Sequence, residues 1–335
     1  MMHWQIYGHD WALNQLDNAL RKGRLRHAHL FYGPKHIGKE TVAWALARAI
    51  TCQHYAQNGE LCPTNSPDIC PSCRRILNRN FPDILKIEPL DGGQLKIEEV
   101  RNAMNWLALK PFESKHRIVI FRDFDHAQPR VQDALLKTLE EPPAHGILIL
   151  LVSTLEAILP TITSRSQVVH LRPSAFKDVY QALSDHGVDE NHAGLLAHLS
   201  GGRVGWALNV LQDDEVLKER ETALTLLEGL ITANRITRFQ QAETLSKDKG
   251  QLGAMLALWL TYWRDLLHLR EESGLEISNV DHLETIRNIA RMVDTTQILK
   301  AIRATRDFIH VSNTTNANLR LQLEVMLLQY PLVNG

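Results

Sequence analysis

The chain has 335 residues, of which 44% are hydrophobic and 22% are charged. This composition is typical of a folded globular protein of about two domains, and it excludes a mainly disordered chain. The formal net charge of −1 excludes a globally basic nucleic-acid-binding protein, although a local basic patch remains possible. No apolar run approaches the ~20 residues needed to cross a bilayer, so no membrane partner is expected. The N-terminal segment lacks the basic region and apolar core of a secretion signal, and we therefore expect a cytoplasmic protein.

Residues 1–171 alternate between short apolar runs and helical patterns, which predicts an α/β domain built on a parallel sheet. The predicted strands are His29–Tyr32, Ile84–Ile87, Arg117–Phe121, Ile147–Val152 and Gln167–Leu171. The predicted helices between them are Glu40–Ile50, Ile97–Leu107 and Val131–Leu139. Because Ile147–Val152 is apolar throughout, we expect it to be a central strand that is covered on both faces.

Strand patterns stop after Pro173, so the remainder is predicted to be all-α. Residues 172–211 are predicted to form a small helical domain, with short helices that are interrupted at Gly201-Gly202. Residues 212–335 are predicted to form a terminal helical domain with longer helices such as Leu252–Leu269 and Leu319–Leu328. The predicted linkers are Arg172-Pro173-Ser174 and Gln212-Asp213-Asp214.

The stretch from Gly33 to Lys39 follows the first predicted strand and opens a helix, and it matches the G-x-x-x-x-G-K core of a phosphate-binding P-loop. In such a loop, backbone N–H groups and the positive end of the helix dipole bind phosphate oxygens. Gly33, Gly38 and Lys39 are therefore candidate nucleotide-binding residues. The alternative is a glycine-bearing turn without a ligand.

Two positions that should hold a magnesium ion depart from the P-loop pattern. Glu40 replaces the Ser or Thr that binds Mg²⁺, and Thr41 comes one residue too late, which turns its side chain by about 100°. Arg122 replaces the metal-binding Asp after the strand Arg117–Phe121, unless a register shift brings Asp123 into that place. Together these departures predict that ATP hydrolysis is weak or absent, and they leave nucleotide binding open.

All four cysteines lie at residues 52–73, namely Cys52, Cys62, Cys70 and Cys73, with the spacing C-x9-C-x7-C-x2-C. Such a cluster in a cytosolic protein predicts a structural zinc site, because four protein ligands leave no open position for catalysis. Cys62 lies between the two longest gaps, and His54 is a possible substitute for it. The alternative is that the four thiols are small core residues.

Three further motifs are the string Leu135-Leu-Lys-Thr-Leu-Glu-Glu-Pro-Pro143, the segment Arg24–Pro34 and the segment Leu159-Pro-Thr-Ile-Thr-Ser-Arg-Ser166. With these motifs and the cysteines, the chain resembles the clamp-loader branch of the AAA+ ATPases, most densely over residues 24–171. The resemblance implies an AAA+ P-loop domain, a small helical lid and a C-terminal helical collar that joins subunits. Relatives usually carry a zinc module here, with closer spacing among their last three cysteines.

In that family, an arc of subunits opens a sliding clamp and places it on primed DNA during replication. Motor subunits bind ATP at their interfaces, and a neighbour completes each site with an arginine finger in a Ser-Arg-Cys motif. Ser164-Arg165-Ser166 matches that motif with serine in place of cysteine, which implies that Arg165 is a finger acting in trans. The alternative is a surface arginine at the end of a helix. The lid arginine that senses nucleotide in active relatives aligns with Gly205, although Arg203 lies nearby.

The preferred hypothesis is a stator subunit of the DNA polymerase III clamp loader, whose partners would be the gamma/tau motor and delta subunits. The sliding clamp and primed DNA would be reached through the hetero-oligomeric complex. One alternative is an active gamma/tau-type motor, which Gly38 and Lys39 favour but Glu40 and Arg122 oppose. Another is a non-enzymatic zinc-containing DNA-binding protein, which the neutral net charge opposes.

Overall fold

The computed structural model describes residues 3–64, 66–89, 93–212, 215–314 and 318–333. The chain forms two compact units, one of residues 1–182 with 202–205 and one of residues 183–201 with 206–335. The division into domains 1–171, 172–211 and 212–335 stays a prediction. Asp213 and Asp214 of the second predicted linker lie outside the described residues.

The first unit contains a five-stranded sheet with the order β2-β3-β4-β1-β5, and every neighbouring pair is parallel. The strands are β1 (Ala28–Tyr32), β2 (Ile84–Ile87), β3 (Arg117–Phe121), β4 (Gly146–Val152) and β5 (Gln167–His170). Each lies within one residue of its prediction at both ends, and the predicted parallel sheet is confirmed. In such a sheet the carboxyl ends of β1, β3 and β4 share one edge, where α/β proteins bind ligands.

Strand β4 is central in this sheet and is buried along its whole length. Ile147, Ile149 and Leu151 pack into a core on one face, whereas the alternate residues Leu148, Leu150 and Val152 pack into a core on the other. Side chains of a strand alternate between faces, so an uninterrupted apolar run is what a strand with two covered faces requires. The prediction for this segment is confirmed.

Helices cover both faces of the sheet. They are α1 (Asp10–Arg21), α2 (Lys39–Thr51), α3 (Gln53–Asn58), α4 (Pro71–Leu77), α5 (Ile97–Ala108), α6 (Pro129–Asp133), α7 (Leu136–Glu140) and α8 (Pro160–Arg165). The single helix predicted over Val131–Leu139 is wrong, because the chain turns between α6 and α7. There the amides of Ala134 and Leu135 donate to carbonyls three residues earlier, and this tightening lets Leu135 enter the core.

The described residues of the second unit form helices joined by loops, and none of them forms a strand. Helix α9 (Phe176–Asp185) crosses the division at residue 182, and α11 (Val204–Val210) crosses it at residue 205. The other helices are α10 (Glu190–Leu199), α12 (Glu215–Thr232), α13 (Arg235–Leu245), α14 (Lys249–Arg270), α15 (Leu283–Met292), α16 (Thr295–Thr314) and α17 (Leu319–Leu328). Trp259 and Trp263 are fully buried in the core of this unit. None of the described helices is both long and apolar enough to cross a bilayer.

Arg238 of α13 joins the ends of α12 and α17. Its guanidinium is buried and donates to five backbone carbonyls at 2.6–3.3 Å, namely those of Leu230, Ile231, Leu327, Tyr330 and Pro331. A guanidinium has five N–H groups, so all of its donors are used. The last carbonyls of a helix have no partner within the helix, and here one side chain supplies partners for two helices.

Replacing Arg238 with methionine should lower the free energy of unfolding of the second unit by about 3–5 kcal/mol, because buried carbonyls would lose their donors. Urea denaturation followed by circular dichroism measures this change. Arg235→Met is the matched control, since Arg235 is exposed on the same helix and should change stability by less than about 0.5 kcal/mol. Equal stability of the two variants would contradict a central role for Arg238.

Candidate functional site

The phosphate loop runs from the end of β1 to the start of α2. A Cβ atom on Gly33 would lie 2.3 Å from the Leu171 carbonyl oxygen, so only glycine fits there. Gly38 precedes α2 with φ +105°, a conformation that glycine alone adopts without strain. The two glycines of the sequence motif are therefore required by the backbone of this turn, which the structure places at the ligand-binding edge of the sheet.

The Lys39 ammonium is turned into the protein. Its Nζ donates to the carbonyl oxygens of Gly33 and Pro34 at 2.6 and 2.9 Å, and it lies 3.3 Å from Ser153 Oγ. Burial lowers the pKa of Lys39 to about 8, although Asp125 and Asp123 act in the opposite direction. An ammonium has three N–H donors, so in this conformation the contacts within the protein use all of them.

Glu40 and Arg122, the two residues that depart from the P-loop pattern, lie together in one ion-pair network. Glu40 Oε2 lies 3.8 Å from Arg122 Nε, and Glu40 Oε1 lies 3.2 Å from Lys86 Nζ. Glu88 completes the network at 3.1 Å from Arg122 and 2.9 Å from Lys86. Arg122 is the first residue after β3, as predicted, and Asp123 lies beside its guanidinium at 3.5 Å. The charges at the expected metal position thus pair with each other.

The Trp44 side chain also restrains the Glu40 carboxylate. Trp44 Nε1 donates to Glu40 Oε1 at 3.1 Å, and the Arg79 guanidinium stacks 3.8 Å from the centre of the Trp44 ring. Arg79 follows α4, the helix that carries Cys73, so the cysteine-containing segment packs against the start of the phosphate-loop helix. This contact restricts the Glu40 carboxylate to the ion-pair network.

Gly205, the residue predicted to stand in the place of a sensor arginine, lies against the loop between β1 and α2. A Cβ atom at this position would come within 2.8 Å of the His36 carbonyl oxygen. Any larger residue would therefore have to displace the loop backbone. The close approach gives a physical reason for glycine here.

The Sγ atoms of the four cysteines lie within 4.8 Å of one another, and all four residues are buried. Four sulfurs at about 2.3 Å from one zinc ion would be about 3.8 Å apart, so the cluster fits a tetrahedral metal ion. Cys62 belongs to it despite its longer sequence gaps, because Arg48 and Gln5 both donate to the Cys62 carbonyl oxygen and hold its loop in place. His54, the possible substitute, is not a member of the group.

Backbone amides support the sulfur atoms of this cluster. The amide of Tyr55 donates to Cys52 Sγ, and the amide of Cys70 donates to Cys62 Sγ, both at 3.4 Å. Such hydrogen bonds favour the thiolate, which is the form that binds metals. The four cysteines could therefore bind a metal ion.

A second group that could bind a metal, Glu221, Asp281 and His282, is better explained as a salt bridge. His282 lies 2.9 Å from Glu228 through Nδ1 and 3.0 Å from Glu221 through Nε2. Hydrogen bonds with these carboxylates, Glu228 first, raise the pKa of His282 to about 9. A protonated imidazole has no lone pair for a metal ion.

Arg165 is the last residue of α8, and only Ser166 separates it from β5. One terminal nitrogen (NH2) donates to Glu140 Oε1 at 2.9 Å, and the other (NH1) donates to the Thr161 carbonyl at 3.2 Å. Its side chain is 39% exposed, so the guanidinium is accessible to a second molecule. The hydroxyl of the buried Ser166, which replaces the cysteine of the family motif, has no hydrogen-bond partner among the described residues.

Sequence reasoning missed Ser153, Asp125 and Glu140. Ser153 follows β4, and its amide donates to the Asp125 carboxylate at 3.1 Å. A polar residue after a central strand is a signal that could have identified Ser153, since parallel strands end at one edge. The contact of Glu140 with Arg165 has no such signal, because the two residues lie on different helices.

The fold and these sites define an α/β protein with a glycine-containing loop between β1 and α2, beside which Glu40 and Arg122 form an ion pair. Residues 8–175 match the model of the family described as DNA polymerase III, delta subunit. The chain belongs to this family.

Several proteins that this chain resembles are subunits of DNA polymerase III. The DNA polymerase III subunit delta' of Bacillus subtilis is 28% identical over 94% of this chain and 95% of its own length. The tau subunit of Salmonella typhimurium is 27% identical, over 68% of this chain and 38% of tau. Among solved structures, a gamma subunit-related protein of Thermotoga maritima is 18% identical, with a TM-score of 0.44 over 94% of this chain and 97% of its own. The predicted resemblance to clamp-loader subunits is confirmed.

Proposed function

We propose that this chain is the delta-prime-like stator of a bacterial clamp loader, a subunit that helps to place the sliding clamp on primed DNA without hydrolysing ATP itself. The observation that carries the proposal is the ion pair between Glu40 and Arg122 at the expected metal position. A guanidinium there repels Mg²⁺, and Lys39 already has three acceptors within the protein. The likeness to the delta' subunit over nearly the whole chain supports the same function.

The stator supplies Arg165 to the ATP site of a neighbouring motor subunit. Arginine suits this role because it is always charged and its planar fork can bind two phosphate oxygens as negative charge develops. The partial exposure of Arg165 at the end of α8 supports the role. The four cysteines hold one structural zinc ion, for which the convergence of their sulfur atoms is the support.

The proposed assembly with the gamma/tau motor and delta subunits is supported by an exposed apolar face on α17. Leu321, Val325 and Leu328 are 60%, 54% and 41% exposed, and their spacing of four and three residues places them on one side of the helix. Leu332, just after the helix, is 51% exposed. We infer that this face packs against other subunits in the collar of the hetero-oligomer, through which the chain acts on the clamp and DNA in the cytoplasm.

The isolated chain should show no magnesium-dependent ATP hydrolysis, because the residues that would hold the metal are paired with each other. A steady-state assay with and without primed DNA measures turnover, and equilibrium titration with Mg·ATP measures binding. Robust turnover would instead identify an active gamma/tau-type motor. Tight DNA binding by the isolated chain, with a steep salt dependence, would identify a DNA-binding protein instead.

A double variant tests the physical reason for this inactivity. Glu40→Thr with Arg122→Asp removes the ion pair and restores the residue types that bind Mg²⁺ in P-loop proteins. We expect this variant to bind Mg·ATP more tightly than the parent chain, and we expect each single substitution to bind no better. Equal affinity of the double variant and the parent would contradict the explanation.

A further inference from the structure

The string Leu135–Pro143 is the most specific motif of the chain, yet the proposed function gives it no role. In the structure its first glutamate, Glu140, lies at the end of α7 and accepts a hydrogen bond from Arg165. We propose that Glu140 is a positioning residue for Arg165, whose carboxylate orients the guanidinium toward the ATP of the neighbouring subunit. The inference rests on the proposed role of Arg165.

The two helices that carry these residues are fixed to each other. Leu135 and Leu139 from the motif pack in the same core as Ile162 of α8. The buried Gln132 side chain donates to the carbonyl of Ala157 at 2.7 Å and accepts from the amide of Leu159 at 2.9 Å. The start of α8 is therefore tied to the segment before α7, and the backbones at Glu140 and Arg165 are held at a defined separation.

The backbone alone does not orient an arginine side chain, which has several rotatable bonds. Two hydrogen bonds restrict Arg165, one to the Thr161 carbonyl on its own helix and one to Glu140. Because they come from different terminal nitrogens, they fix the plane of the guanidinium. Less conformational entropy is then lost when the group binds phosphate.

The pairing leaves donors for the neighbour's phosphates. The contacts with Thr161 and Glu140 use two of the five N–H groups of the guanidinium, and one on each terminal nitrogen remains for a phosphate. The side chains of Arg165 and Glu140 are 39% and 54% exposed. A carboxylate that competed with phosphate would accept hydrogen bonds from both terminal nitrogens of the guanidinium, whereas Glu140 accepts from one of them. The arrangement therefore favours orientation of Arg165 over inhibition.

The test uses the reconstituted clamp-loader complex and measures kcat and KM for DNA-stimulated ATP hydrolysis. Glu140→Ala should lower kcat about three- to fivefold with KM unchanged, since an exposed ion pair has a small effect and the finger acts in the transition state. Glu140→Gln retains an oxygen acceptor and should restore most of the rate. Glu140→Lys keeps a helix-forming residue but repels Arg165, so it should lower kcat at least as much as alanine.

Glu141→Ala is the matched control, because the adjacent glutamate is exposed and forms no hydrogen bond or ion pair with Arg165 in the described part of the chain. It should leave kcat unchanged. Combining Glu140→Ala with Arg165→Ala should lower kcat no further than Arg165→Ala alone, because Glu140 acts through Arg165.

The outcomes separate this inference from the proposed function. If Arg165→Ala lowers hydrolysis but Glu140→Ala and Glu140→Lys leave it unchanged or raise it, the positioning role is wrong and the finger role stands. If Arg165→Ala leaves hydrolysis unchanged, the proposed finger role of Arg165 is itself wrong. Additive losses in the double variant would also overturn positioning, because Glu140 would then act independently of Arg165.

Discussion

Replacing Arg165 with alanine should leave the chain folded and assembled but slow ATP hydrolysis at the neighbouring site by on the order of 10³-fold. The side chain lies at the exposed end of α8, and its only hydrogen bonds among the described residues are to Glu140 and Thr161, so its removal leaves the core of the first unit intact. The effect is large because an arginine finger stabilises charge that develops only in the transition state. A complex whose other ATP sites have been inactivated reports this one site directly.

Two variants make the measurement of Arg165 specific. Arg165→Lys keeps the positive charge but lacks the planar fork, so it should remain strongly impaired. Arg130→Ala removes an exposed arginine from α6 of the same unit and should hydrolyse ATP at the normal rate. A normal rate for Arg165→Ala in an intact complex would remove the finger assignment.

The second large effect is expected at the cysteine cluster. The purified chain should contain about one equivalent of zinc, and Cys70→Ser should lose it together with much of the stability of the first unit. In small zinc proteins the metal contributes on the order of 10 kcal/mol to folding, although here the surrounding core retains part of that stability. Metal analysis and the thermal midpoint of unfolding, Tm, measure the two effects.

Ser72→Ala is the control for this substitution, because Ser72 lies between Cys70 and Cys73 and is not one of the sulfur ligands. It should retain the zinc ion and the parental Tm. A chain that purifies without zinc, and whose Tm is insensitive to chelator and to Cys70→Ser, would show that the four thiols are only core residues.

The strands and most of the helices could be predicted from the sequence, because the spacing of apolar residues along each segment indicates which of its faces are buried. The continuous apolar run of β4 predicted burial on both faces, and the chain order of β1, the phosphate loop and α2 predicted the turn around Gly33 and Gly38. The interrupted helix before Leu139 was not predictable. Periodicity does not show where a turn tightens so that one leucine can enter the core.

The site was predictable in its residue types but not in its contacts. Glu40 and Arg122 are 82 positions apart in the sequence. The parallel order β2-β3-β4-β1 brings the end of β3 and the start of α2 to one edge of the sheet, where Lys86 of β2 also lies. Likewise, the spacing of Cys62 gave no reason to favour it over His54. Its place depends on Arg48 and Gln5, which hold its backbone from two other segments.

The ion pair between Glu40 and Arg122 also bears on how such a subunit changes during evolution. Restoring a hydroxyl at position 40 alone would leave Arg122 paired with Glu88 and Asp123 at the expected metal position, and restoring an aspartate at 122 alone would place it beside Glu40 and Glu88. Each variant that carries only one of the two exchanges is therefore expected to be less stable than its parent. A return to magnesium binding at this position would then require both exchanges at once.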